Sequence, residues 1–238
     1  MAESNSSNPV CLITGGTSGV GLATALRFAR ANFRVAICGR NLDRLAQAKD
    51  QISQAGAESV LAVTLDLNQS EKARTFLEDT VSEFGRVDLL VNNAAVAPLA
   101  KLDETSDEDF EQAMNVNIRS VFYLTRACWK QMKEQGGGTI VNMSSLAAVD
   151  PFPGFSVYGS SKSWIDLFTV ALGNEGRESG INVFSIRAGA VETPLLRGLF
   201  PDFPAEQAIA PEKIANVIWA LWNEEMQPAS GQPIVVKQ

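Results

Sequence analysis

Val10-Cys11-Leu12-Ile13-Thr14-Gly15-Gly16-Thr17-Ser18-Gly19-Val20-Gly21-Leu22 passes from a short apolar run into a glycine-rich turn. Beyond it, Leu22, Ala25, Leu26 and Ala29 recur at helical spacing, so the stretch reads as strand, tight turn and helix. Glycines at such a turn let the backbone bend sharply and approach an anion, while the first N–H groups of the helix lack partners and face it. That chemistry suits the pyrophosphate of a dinucleotide. The spacing, Thr14-Gly15-x-x-x-Gly19-x-Gly21, differs from the commoner Gly-x-Gly-x-x-Gly. On its own it also fits a tight turn that holds no ligand.

Working outward, the same alternation repeats. Arg34 to Cys38 is an apolar run, Leu42 to Ala55 an amphipathic helix, Ser59 to Leu65 a strand, Ser70 to Phe84 a helix and Val87 to Val91 a continuous apolar strand. Thr105 and Ser106 precede an acidic first turn, and a long helix is expected from Asp107 to about Gln135, ended by Gly136-Gly137-Gly138. Thr139 to Met143 is the next strand, and a helix containing Tyr158 runs to about Glu178. Ile181 to Arg187 is a strand. A loop with Pro194, Pro201 and Pro204 precedes a helix from about Pro211 to Asn223, and Pro233 to Val236 is a last short strand. Strands alternating with helices in this way predict a Rossmann-type, doubly wound parallel α/β sheet of about seven strands, with helices on both faces.

Composition narrows the function. The 238 residues suffice for one large α/β domain, no linker divides them, and a single domain over 10–238 is expected after a polar lead-in, 1–9, read as disordered. That opening is neither a secretory signal nor a transit peptide. No stretch approaches the roughly 18 apolar residues of a membrane span, so a cytoplasmic protein without a membrane partner is expected. The net charge of −7 argues against nucleic acid as a partner. Cys11, Cys38 and Cys128 have no metal-ligand or redox-pair spacing and read as small buried apolar groups; no metal site is expected. The chain contains no histidine, which excludes Ser-His-Asp and Cys-His catalysis and leaves proton transfer to Tyr, Lys or a carboxylate.

Tyr158 and Lys162 answer that requirement. Four residues apart at a helix start, they share one face, and the ammonium is expected to lower the phenol's pKa from about 10. Ser145 lies thirteen residues upstream, across a Pro/Gly-containing loop, and can return its hydroxyl to the same place. Taken singly, each has a duller reading: an incidental Tyr-Lys contact, a turn serine, and, for Asn117, a solvent-facing amide on the long helix.

Taken together with Asn92-Asn93-Ala94-Ala95 after the fourth strand and with Asn115-Val116-Asn117, the pattern resembles the short-chain dehydrogenase/reductase family from about Val10 to Val236. The resemblance implies that Asn117, Ser145, Tyr158 and Lys162 form a catalytic tetrad acting on a carbonyl or alcohol beside a nicotinamide. Tyr158 would exchange the proton, Ser145 would hydrogen-bond the same oxygen, Lys162 would hold the nicotinamide ribose, and Asn117 would anchor a water. It also implies cofactor contacts from Gly15, Thr17, Ser18, Gly19, Val20 and Gly21 to the pyrophosphate. Asp66 and Leu67 would border the adenine, Asn93 and Ala94 its ribose, and Gly189, Val191 and Thr193 the nicotinamide end. NAD-using members commonly carry an acid where this chain has Gly39, followed by Arg40. A guanidinium there suits a 2′-phosphate, so NADP(H) is favoured over NAD(H), although Arg40 also reads as an ordinary surface residue and Ser18 is not the basic residue that often reinforces phosphate binding.

The chain departs from the family at Ala95, which replaces a glycine, at Arg187-Ala188-Gly189, where Pro-Gly is commoner, and after Ser230-Gly231-Gln232. A homodimer or homotetramer through the two long helices is expected by the same resemblance. The segments expected to line the pocket are Ala97-Pro98-Leu99, Leu146 to Phe152 and Leu195 to Phe203, mostly apolar and suited to an uncharged ketone or aldehyde. A carrier-linked 3-oxoacyl substrate would need a basic docking surface, and Lys130 and Lys133 do not form one. The competing possibility is a catalytically silent dinucleotide-binding protein that senses redox state or serves as a subunit.

Overall fold

The computed structural model describes residues 8–238; most of the polar lead-in lies outside them. Val10–Thr14 forms β1, buried at every position because an apolar run without alternation has no face to give to water. It is followed by β2 (Arg34–Gly39), β3 (Ser59–Thr64), β4 (Leu89–Asn92), β5 (Gly138–Ser145), β6 (Ile181–Ala188) and β7 (Pro233–Val236). All pairings are parallel, in the order β3-β2-β1-β4-β5-β6-β7. This is the expected doubly wound, single-domain sheet. The strand order reverses between β1 and β4, which opens a crevice beyond their carboxyl ends.

The helices are α1 (Gly19–Ala29), α2 (Leu42–Gln54), α3 (Ala73–Phe84), α4 (Asp107–Ala113), α5 (Ser120–Glu134), α6 (Ser156–Gly176), α7 (Pro194–Leu199) and α8 (Pro211–Trp222). One layer packs Phe28, Ile52 and Ile218 of α1, α2 and α8 on Ile13, Ile37 and Val141. The other packs Phe76, Leu124 and Leu172 of α3, α5 and α6 on Leu12, Leu90 and Ile140. Cys11, Cys38 and Cys128 are free and buried, and burial pushes the Cys38 thiol up to about 12. Among the described residues no helix is long and apolar enough to cross a membrane.

The structure refines one expectation and corrects another. The helix expected from Asp107 to about Gln135 runs to Glu134, but Met114–Arg119 winds as π-helix between α4 and α5. Asn117 lies in that wider turn and is 1% exposed, against the alternative of a solvent-facing amide. The stretch after Thr193, read as loop, begins with α7. Thr193 caps it, its hydroxyl accepting from Leu196 N at 3.2 Å, and Pro194 occupies the first turn, where a missing N–H costs nothing.

A polar ladder crosses the second layer. Asn92 and Asn142 are register partners on β4 and β5. Asn92 Nδ2 donates to Asn142 Oδ1 at 2.8 Å and to Thr125 Oγ1 of α5 at 3.0 Å, and Asn142 Nδ2 donates to Thr169 Oγ1 of α6 at 3.0 Å. All four residues are buried. They tie the two strands whose ends carry the site to the two helices that cover them.

Candidate functional site

The turn after β1 needs its glycines. Gly15 has φ +66°, a left-handed conformation that strains any side chain. A Cβ on Gly21 would lie 2.3 Å from Gly15 O, so the helix can start this close to the strand only without one. The first turn of α1 carries no acidic residue, and the Ser18 side chain makes no capping bond, which leaves the helix N-terminus open to an anion. The β4 end is fastened to this turn by Asn93. Its Nδ2 donates to Thr14 O (2.9 Å) and Gly15 O (3.1 Å), while Thr14 Oγ1 accepts from Asn93 N (3.0 Å) and Ala94 N (3.1 Å).

From here a cavity of about 760 Å³ runs along the carboxyl ends of the strands. Of the expected cofactor contacts, Gly15, Thr17, Ser18, Gly19, Val20, Arg40, Asp66, Leu67, Asn93, Ala94, Gly189, Val191 and Thr193 all line it, and Gly21 lies behind the turn. Arg40 and Arg44 are exposed at the end near β2, and among the described residues neither has a carboxylate within 4.0 Å. Arg44 is not singled out by the sequence reading. Its spacing, one helical turn beyond Arg40 on the far side of the cap residue Asn41, is the available signal.

At the other end Ser145, Tyr158 and Lys162 come together. β5 delivers Ser144 and Ser145; Ser144 Oγ donates to Lys162 O at 3.3 Å, and Ser145 Oγ accepts from Ala147 N at 3.2 Å. Lys162 is 3% exposed, and its ammonium donates to Met143 O at 2.8 Å. Burial pulls its pKa down to about 8, against the opposing pull of Asp166. Tyr158 departs from expectation: its pKa is raised, because burial disfavours phenolate more than the neighbouring Ser145 hydroxyl favours it. The Lys162 ammonium lies 5.7 Å from the Tyr158 ring centre and is anchored to the β5 carbonyl instead of the phenol.

Asn117 is adjacent but differently engaged. Its Nδ2 donates to Val96 O (2.8 Å) and Ser161 Oγ (3.0 Å), and its Oδ1 accepts from Val96 N (2.9 Å). Both amide hydrogens are thus committed, and the bonds clamp the loop after β4 onto α6. Any water held by this side chain must donate to the oxygen.

Asp166, one turn after Lys162 on α6, also escapes the sequence reading. It is buried, accepts from Ser185 Oγ at 2.7 Å and pairs with Arg187 Nε at 2.5 Å, both on β6. Arg187, noted as a departure from Pro-Gly, therefore has a structural partner. An acid four residues after Lys162, on the face that α6 buries, is the clue.

The substrate end differs in part from expectation. Ala97, Leu146, Ala147, Phe152, Leu199, Phe200 and Phe203 line the cavity, but Pro98 and Leu99 do not, and Phe155 does. The segment from α7 to Phe203 is gathered around Arg197, which pairs with Glu192 and donates to Pro201 O (3.0 Å) and Phe203 O (2.6 Å).

A family model described as short chain dehydrogenase matches residues 9–203. A 3-oxoacyl-(acyl-carrier-protein) reductase of Thermotoga maritima is 33% identical over 237 residues, covering 94% of both chains. The solved structure of a 3-ketoacyl-(acyl-carrier-protein) reductase from Brucella melitensis complexed with NADH has a TM-score of 0.87 at 29% identity, covering 96% of each chain. That of a single-substitution variant of actinorhodin polyketide ketoreductase with NADPH has a TM-score of 0.90 at 28% identity, covering 97% of this chain and 96% of that one.

Proposed function

The chain belongs to the short-chain dehydrogenase/reductase family of oxidoreductases, and from that premise we propose that it interconverts an uncharged carbonyl and an alcohol with NADP(H). The observation that carries the reading is one continuous cavity joining the glycine turn to Ser145, Tyr158 and Lys162. The residues fit a nicotinamide dinucleotide: a glycine-rich turn, an open helix N-terminus and an acid-free first turn at the pyrophosphate position, with Asp66 and Asn93 lining the same cavity.

When bound, the nicotinamide supplies or takes the hydride, and the chain's own groups manage the oxygen and its proton. Tyr158, held neutral by burial, donates its hydroxyl proton to the carbonyl oxygen as negative charge develops there. Ser145 hydrogen-bonds the same oxygen from the end of β5. Lys162, with its pKa near 8, exchanges protons close to neutrality and restores the proton lost by Tyr158. Its role is thus as a proton reservoir more than as a charge that acidifies the phenol. Asn117 holds the β4 loop against α6 so that these groups keep their spacing. A screen of ketones with NADPH, run beside the Tyr158→Phe variant, tests the reading. Cofactor binding without oxidation by any carbonyl, in either protein, would favour the silent dinucleotide-binding alternative.

Arg40 and Arg44 support NADP(H). Two guanidinium groups beside the β2 end complement a 2′-phosphate, and among the described residues no acid pairs with either. Arg40→Ala should weaken NADPH binding about 10–100-fold, the effect of losing charge-assisted hydrogen bonds, and leave NADH nearly unchanged. Titration by cofactor fluorescence checks it. Tighter binding of NADH than NADPH by the unaltered protein, or no change in Arg40→Ala, overturns the assignment.

The proposal includes a homo-oligomer. On the outward side of α6, Leu167 is 72% exposed, and Trp164 stacks on Phe168 at 4.6 Å, with Phe122 of α5 6.2 Å beyond. This apolar face continues across both long helices, and a second copy of the chain would cover it. Leu167→Glu is expected to shift the sedimentation mass toward the monomer. A wild-type chain that is already monomeric at micromolar concentration removes this part of the proposal.

A further inference from the structure

The substrate end of the cavity is built from rings. Phe152 and Phe155 stack with centres 4.5 Å apart at 26°, and Phe200, at the end of α7, meets them edge-on at 6.0 and 6.2 Å, inclined by 67° and 66°. Phe155 also lies 5.0 Å from the Tyr158 ring. The aromatic wall therefore begins at the phenol that would meet the carbonyl oxygen, so whatever group is attached to that carbonyl comes to rest against Phe155.

The wall is preformed. Phe155 is 6% exposed and fixed by its neighbours, and the Arg197 bonds to Glu192, Pro201 O and Phe203 O hold the segment bearing Phe200. Phe152, by contrast, leaves 51% of its surface open. A half-open ring stacked beside a buried one leaves aromatic surface against which a further ring is favoured, edge-to-face or offset-stacked.

Charge points the same way. Besides Lys162, whose ammonium is bonded to Met143 O, the charged group lining this end is Asp150, while Arg40 and Arg44 stand at the far end with the cofactor turn. A substrate carboxylate or phosphate would meet an acid here, with the nearest lining cation already bonded.

Resting on the carbonyl-reductase reading, we propose that the substrate is a neutral aryl ketone, its ring seated among Phe152, Phe155 and Phe200 and its carbonyl at Tyr158. The test compares ketones matched in size. Acetophenone should exceed 2-octanone in kcat/KM by about tenfold, the increment of one or two aromatic contacts. Adding a carboxylate, as in 4-acetylbenzoate, should cost at least about tenfold. Phe155→Leu and Phe200→Leu should bring the acetophenone to 2-octanone ratio toward unity, mainly through KM for the aryl ketone, with NADPH binding confirming that each variant is folded.

Reduction of 2-octanone as fast as acetophenone, a preference for 4-acetylbenzoate, or an unchanged ratio in both variants overturns the aryl assignment while the reductase reading stands. Absence of NADPH oxidation with every ketone, despite bound cofactor, removes the reductase reading and this inference with it.

Discussion

On the proposed reading, replacing Tyr158 with phenylalanine is expected to lower kcat for ketone reduction by about 10²–10⁴-fold, the range lost with a general acid, and to leave NADPH affinity within a few-fold. The ring remains to fill its place against Phe155, 5.0 Å away, so packing changes little. Only the proton is lost. The direction of the Tyr158 shift adds a pH dependence. Because burial raises its pKa, the phenol stays protonated through neutrality, and the reductive rate should hold through neutral pH and fall only on the alkaline side. The oxidative rate should rise over the same alkaline range, since there the phenolate is the active form. Single-turnover rates over neutral to alkaline pH in both directions check this. A Tyr158→Phe protein that keeps a tenth or more of the parent kcat would remove Tyr158 from the proton-donor role.

Lys162→Met should act in opposite senses on activity and stability. On the proposed reading activity is expected to fall by at least about 10²-fold, because the group proposed to supply protons and to hold the ribose disappears. Stability at pH 7 is expected to be unchanged or higher. The ammonium is buried with its pKa at about 8 in the folded protein against 10.5 in the reference state. Below pH 8 both folded and unfolded chains hold the proton, and the folded state carries the full cost of burying it. Between 8 and 10.5 the unfolded chain binds more protons, so stability rises with pH as the folded form sheds its charge. The full swing corresponds to about 3 kcal/mol, and the methionine variant lacks it. Loss of the bond to Met143 O offsets about 1 kcal/mol of the variant's advantage at pH 7. Above about pH 9 the buried thiols of Cys11, Cys38 and Cys128, and above about pH 10 Tyr158, work in the reverse direction, since their raised pKa values keep them protonated while the unfolded chain ionises; they do so in parent and variant alike, so the difference in stability between the two proteins is the informative quantity. Urea unfolding at about pH 7 and about pH 9.5 checks the claim. A variant less stable than the parent at pH 7, by a margin that does not grow toward pH 9.5, would overturn it.

The glycine turn and the strand alternation are readable from the chain because their causes are local. Gly15 and Gly21 are required by backbone geometry within one short turn, and an apolar run such as Val10–Thr14 has its own signature. The helix around Asn117 is read in its extent but not in its winding, for a complementary reason. A π-helical stretch adds only about one residue to an apolar pattern, and Val96 and Ser161, which hold the Asn117 amide, are distant in the chain, so its hydrogen bonds are not read from the local spacing. The short helix after Thr193 is concealed by its prolines, although Thr193-Pro194 is itself a start signal. For Tyr158 the difficulty lies in weighing opposed effects. Lys162 four residues away is a sequence fact, but the burial that raises the phenol comes with packing such as that against Phe155, and the Lys162 ammonium is turned to the β5 carbonyl, neither of which is local. Arg44 and Asp166 acquire meaning from partners, a cavity wall and Arg187, that only folding brings near.

The Asn92–Asn142 ladder has a consequence for how the chain finds its fold. Parallel strands buried on both faces read almost alike from one residue to the next, so apolar content alone discriminates poorly against β4 slipping along β5. A slip by one residue would turn the Asn92 amide away from Asn142 and Thr125 and into the layer of Ile13 and Phe184, with its donors unpaired. Slipping by two would keep the face but set Asn92 opposite a residue other than Asn142. Either error strands a buried amide at a cost of about 1–3 kcal/mol for each unpaired group, and Asn142 is stranded with it. The ladder thus acts as a vernier on strand pairing. It selects the one alignment in which Ser145, at the end of β5, stands level with the loop that begins at Asn93.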